Sequence, residues 1–166
     1  MTVTAMAGLG DELYERINGT GMGAWLADLF QRLGLPFPAA SLAPQARHVT
    51  GRSTGFVLTI GRTAAQESDW RDALILERAE GDATAPMPHG LDPATETLDS
   101  AKRKLTDTIA GGSAAEIAAG DRRVSFFMNG GRVMELRFRA GMKGFDRILL
   151  ARLGAPVDWR RQVLGP

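Results

Sequence analysis

Few residues in this chain could make or break bonds, and their spacing limits what they can do. Gly51-Arg52-Ser53-Thr54-Gly55 matches the G-x-S-x-G pattern of serine hydrolases. That chemistry needs the serine on a sharp strand-to-helix turn, with an acid and then a histidine downstream. Here Phe56–Ile60 follows and alternates like a strand, while the one downstream histidine, His89, lies in a proline-rich stretch. A hairpin turn rich in Gly, Ser and Thr accounts for the pattern. Gly19-Thr20-Gly21-Met22-Gly23 stands before a helical segment, where anions are favoured. Nucleotide loops require G-x-G-x-x-G after a strand, whereas this one follows a helix, so an interhelical turn is expected.

Metal chemistry is thinly supplied. The chain has two histidines, His48 and His89, and no cysteine. No H-x-H or H-E-x-x-H spacing occurs. Glu67, Asp69 and Asp72 could hold magnesium, but a solvated acidic loop is the simpler reading. Catalytic, cofactor and metal residues are therefore all assigned as none, and a binding protein is expected rather than an enzyme.

Charge gives the next clue. Residues 1–100 hold 7 Lys+Arg against 13 Asp+Glu, and residues 101–166 hold 13 against 6. Such opposition suits steering of a charged partner, or acidic and basic faces that pack side by side. Lys102, Arg103, Lys104, Arg122, Arg123, Arg137 and Arg139 raise nucleic acid or an anionic ligand as the alternative partner. They could grip phosphates if a helix and a hairpin brought them to one face. Few exposed aromatics accompany them for stacking, and nucleic acid is disfavoured.

These residues must be carried by one domain of 166 residues, with no apolar run near the roughly 20 that a membrane helix needs. The N-terminal residues lack a basic, apolar signal pattern, and a cytoplasmic setting is expected. Leu9, Leu13 and Ile17 predict a helix near Asp11–Ile17. A second helix, Gly23–Leu33, ends at Gly34-Leu35-Pro36. Strands are expected at Arg47–Thr50, Gly55–Gly61 and Trp70–Arg78, then a linker at Ala79–His89. Thr97 caps a helix that carries Leu98, Ala101, Leu105 and Ile109 on one face. A weak strand at Ala114–Ala119 precedes the clearest hairpin, Arg122–Met128 and Arg132–Arg139 around Asn129-Gly130-Gly131. On its second strand Met134, Leu136 and Phe138 face one side, and Val133, Glu135, Arg137 and Arg139 form a mostly polar outer side. A closing helix is expected at Phe145–Leu153. The whole predicts an α+β fold, an antiparallel sheet with helices packed on one face. Its halves, about 8–80 and 88–154, read as pseudo-repeated helix-plus-meander units.

Pro88-His89-Gly90-Leu91, the capped helix ending at Leu105, and the meander with Val124-Ser125-Phe126 and Val133–Phe138 carry a resemblance. So does the earlier step Leu33-Gly34-Leu35-Pro36. Over residues 22–140 the chain resembles small cytoplasmic immunity proteins of bacterial polymorphic-toxin and contact-dependent competition systems. The resemblance implies a non-enzymatic inhibitor that covers a cognate protein toxin, and it transfers no binding residues. The contact expected from the residues themselves is the acidic turn Glu67, Asp69, Trp70 and Asp72, with the tryptophan as anchor.

Overall fold

The computed structural model describes residues 6–17, 19, 22–38, 46–62, 70–107, 109–118 and 122–152, with 70, 72 and 109–118 placed by backbone alone. The chain then forms helices α1 (Leu9–Arg16) and α2 (Gly23–Leu33). α2 stops where the sequence says, at Gly34, whose positive φ of 66° suits a residue without Cβ. Glu12 of α1 ties the pair together, accepting from Trp25 Nε1 at 2.8 Å and pairing with Arg32.

Three strands follow: β1 (His48–Val49), β2 (Phe56–Arg62) and β3 (Leu74–Asp82). Helix α3 (Leu98–Leu105) then leads into β4 (Ile109–Ala118), β5 (Arg123–Met128), β6 (Arg132–Phe138) and β7 (Phe145–Arg152). All pairings are antiparallel, in the order β1-β2-β3-β7-β6-β5-β4. The fold is thus α+β. The three helices bury Leu13, Leu26, Leu29, Phe30, Ala101 and Leu105 in one core with Phe56, Leu58, Phe126, Leu136 and Ile148 of the sheet. Both halves end on the central β3–β7 pair. Among the described residues their inventories differ, two helices and three strands against one helix and four, and the topology does not establish a repeat.

α3 begins as its residues dictate. Thr97 Oγ1 accepts from the Ser100 amide at 3.1 Å, and Ser100 Oγ accepts from the Thr97 amide at 2.8 Å. This reciprocal cap contributes about 1 kcal/mol. The Asn129-Gly130-Gly131 turn also stands where expected, closing the Met128–Arg132 pair.

Several expectations are corrected. Phe145–Leu153 is no helix, since Phe145–Arg152 is the strand between β3 and β6. The Ala79–His89 linker is shorter, because Ala79–Asp82 still pairs with β2 and β7. α3 ends at Leu105, and Ile109 opens β4, which is longer than the weak strand expected at Ala114–Ala119. Trp70–Ala73 is a single 3-10 turn, and β3 starts only at Leu74.

Besides register shifts between β4 and β5, one bulge in β3 and one in β7 shape the sheet. In β3, Thr59 faces Arg78 but Ile60 faces Leu76, which leaves Glu77 as the extra residue. In β7, Arg137 faces Arg147 but Phe138 faces Phe145, which leaves Asp146 extra. A bulge re-aims the side chain it adds. Both extra residues are carboxylates, and both turn away from the helices.

Candidate interaction surface

The helices occupy one face of the sheet, and among the described residues no helix covers the other. Alternation assigns that outer face. Opposite the inward Val124, Phe126, Leu136, Ile148 and Ala79, it carries Arg123, Ser125, Glu135, Arg137, Arg147, Leu149, Arg78 and Glu80. Val133, Leu149 and Ala151 form a small apolar cluster there with half-buried Phe127.

Ion pairs link the charges. Arg137 Nε lies 2.8 Å from Asp146 Oδ1, and Arg147 Nε lies 3.3 Å from Glu80 Oε1. Arg78 and Arg123 sit 3.9 Å from Glu80 and Glu135 respectively. The guanidinium of Arg137 holds the Asp146 carboxyl below its usual range, and Arg139 and Arg147 add to the effect. Glu135 is buried, and that burial raises its pKa against the pull of Arg123 and Arg78. Its Oε2 and the hydroxyl of Ser125, directly across the strands, are buried without hydrogen-bond partners among the described residues. The outer side of β6 is therefore less polar than the sequence suggests, for Val133 and Glu135 are both buried.

At the rim of the same face the Glu77 bulge meets Arg47, whose Nε is 2.5 Å from Oε2. Burial raises the Glu77 pKa, opposed by Arg47 and Arg152. Gly61 makes room for this pair, since a Cβ there would lie 2.4 Å from Glu77 Oε1.

The other candidates fall elsewhere. Ser53 belongs to a two-residue hairpin turn, with Thr54 at φ 50° and Gly55 at φ 80°. Its backbone exchanges two 2.9 Å bonds with Phe56, and its hydroxyl donates to Leu33 O at 3.0 Å. The serine pins a hairpin to the end of α2. Of the acidic turn, Glu67 and Asp69 lie outside the described residues. Trp70 and Asp72 are placed by backbone alone, in the turn Trp70–Ala73 beside α2. Among the described residues no group of three or more His, Asp or Glu is arranged to hold a metal ion. No described helix is long and apolar enough to cross a membrane.

The basic residues do not gather. Lys102, Arg103 and Lys104 ride on α3, whose Ala101 and Leu105 pack into the core on the helix side. Arg123 and Arg137 project from the opposite face. The sheet itself separates the two groups. The opposed charges of the chain's halves instead meet at the β3–β7 seam, where Arg147 reaches Glu80.

The Pro88-His89-Gly90-Leu91 element is built into the scaffold. His89 (φ 56°) and Gly90 (φ 69°) are both left-handed. The His89 amide donates to Asp11 Oδ1 at 2.8 Å, and its ring stacks edge-on against Tyr14, 4.4 Å between centroids. Lys104 Nζ donates to Gly90 O at 2.9 Å and to buried Glu96 at 2.8 Å. Burial lowers the His89 pKa, opposed by Asp11 and Glu15. Unfolding therefore raises this pKa toward the ordinary value near 6.5. The unfolded chain takes up the proton first, so stability falls as pH drops below about 6.5 toward the folded-state value. Urea melts should show the wild type losing more stability between pH 8 and pH 5 than His89→Asn, a neutral residue tolerant of positive φ. Equal losses would reject the assignment.

No family model, no curated protein and no solved structure matches this chain.

Proposed function

We propose that the protein is a non-enzymatic cytoplasmic immunity protein that binds and neutralises a cognate toxin through the outer face of its sheet. The observation that carries the binding reading is that face itself, four strands wide, with arginine–carboxylate pairs set round an apolar cluster. Its reachable groups are the charged ones, with Arg137 39% and Arg147 50% exposed, while the apolar cluster beneath them is buried. The toxin as partner rests on the resemblance of the Pro88–Leu91 element, α3 and the hairpin to immunity proteins. Engagement of Ser53 with Leu33 O fits a non-catalytic role.

Co-expression with the C-terminal domain of an adjacent toxin gene tests the reading. A one-to-one complex of nanomolar affinity should form and toxin-expressing cells should survive, with Ser53→Ala protecting as well as the wild type. Cell death despite accumulation of the folded protein would refute neutralisation. Loss of protection in a folded Ser53→Ala variant would instead point to serine chemistry.

A further inference from the structure

Two polar side chains are buried opposite each other on the outer face with nothing to bond. Ser125 of β5 is fully buried, and Glu135 of β6, directly across from it, is 8% exposed. The Ser125 hydroxyl and Glu135 Oε2 have no hydrogen-bond partner among the described residues. On its other side Glu135 faces buried Leu149 of β7, and buried Val133 stands two residues along its own strand. Ala115 is the β4 residue in register with Ser125. None of these neighbours can hydrate a carboxylate.

The charged groups around Glu135 come from three other strands. Arg123 of β5 lies 3.9 Å from Oε1, outside hydrogen-bond range. Arg78 of β3 and Arg147 of β7 favour the ionised form, and Glu80 of β3 opposes it. Arg137, two residues along β6, bonds Asp146.

Hydrogen-bond capacity separates the two forms of the carboxyl. When neutral it has one O–H to donate, and a serine hydroxyl can accept that bond and return one to the carbonyl oxygen. When ionised it presents about four lone-pair sites to that single hydroxyl, in surroundings that penalise charge. The burial that raises its pKa acts in the same direction.

We infer that Glu135 and Ser125 form a proton-held latch between β5 and β6, closed while the carboxyl is neutral and loosened when it ionises. Ionisation passes the carboxyl proton to water and removes the bond that it donates to the serine. The carboxylate is then drawn toward Arg123 and solvent. The sign is fixed by the raised folded value. The latch is at full strength below the unfolded value near 4.5, and it is lost as pH climbs through the folded one. It does not depend on what the outer face contacts.

The test uses the full chain and Glu135→Gln, which copies the neutral form. Denaturant melts should show the variant gaining on the wild type as pH rises. Between pH 4 and pH 8 the ratio of their unfolding constants should change by at least about fivefold. Glu77 and His89 titrate in both proteins, so the change isolates Glu135. Amide exchange across β5 and β6, corrected for its intrinsic rate, should quicken with pH in the wild type and stay level in the variant. Carbon-13 titration of the wild type needs no substitution. The Glu135 carboxyl should titrate above 4.5, and the Ser125 resonances should move at the same midpoint. A Glu135 carbon titrating at or below 4.5, a stability ratio that ignores pH, or exchange that quickens equally in both proteins would each overturn the inference. Ser125 resonances that do not follow the Glu135 midpoint would do the same.

Discussion

Arg47→Met is expected to cost about 3–5 kcal/mol, because it leaves the carboxylate of Glu77 buried beside the β3 bulge without its nearest cation. Glu77 is 4% exposed, and Arg47 is the group within ion-pair distance. Removing the carboxylate as well should restore most of the loss. An Arg47→Met/Glu77→Leu variant is expected within about 1.5 kcal/mol of the wild type, since an apolar pair of similar volume replaces a desolvated one. The pH dependence has a definite sign. A carboxyl whose folded pKa is raised binds protons more tightly folded than unfolded, so its cost appears as pH climbs above the unfolded value near 4.5 and is complete above the folded one. Losing Arg47 raises the folded value further. Denaturant melts should therefore find Arg47→Met more damaging at pH 8 than at pH 5. A penalty independent of pH, or a double variant no better than the single, would show that the pair is not what holds this rim.

Gly10→Val should be the other severe change, with a loss of about 3 kcal/mol. Gly10 is buried in α1 where the chain from Pro86 to Pro88 crosses it. A Cβ would lie 2.3 Å from Pro86 O and 2.6 Å from Pro88 N, and backbone cannot rotate aside as a side chain can. The variant must push α1 away from the Pro88–Gly90 turn, which also strips His89 of its Asp11 and Tyr14 contacts. Calorimetry should record the lower midpoint. Gly8→Val is the control, because a Cβ at Gly8 meets nothing within 4 Å. A Gly10 variant as stable as the Gly8 one would mean that the helix and turn separate at little cost.

The sequence shows why some elements were legible and others were not. The α2 stop at Gly34, the Thr97 cap and the Asn129–Gly131 hairpin follow from local chemistry, and local chemistry is readable one residue at a time. β7 reads as a helix for a specific reason. Phe145 and Ile148 both point inward, and the Asp146 bulge separates them by three positions, the spacing of a helix face. Leu149 then falls on the outer side yet is apolar, so no clean alternation remains to betray a strand. The same bulge hides the alignment of Arg147 with Arg137 and Arg123 across the strands, since a helix over Phe145–Leu153 has no register with them. Glu77 is illegible likewise, as its burial depends on Gly61 two strand positions away in space and sixteen away in sequence. The two apolar residues that follow Phe145 at intervals of three and four were the available warning, and they pointed the wrong way. Register between distant strands is not a local property, and no single stretch of the chain encodes it.

The place of β7 has a kinetic consequence. It is the last described strand to be synthesised, yet it fills the middle of the sheet, hydrogen-bonded to β3 some seventy residues earlier and to β6 just before it. Until it inserts, two meanders wait with unsatisfied edges turned toward each other, and each is a template for pairing with a second nascent chain. Closing that long loop places this protein among the slower folders for its size, and the time spent half-assembled is when it is most exposed to misassociation.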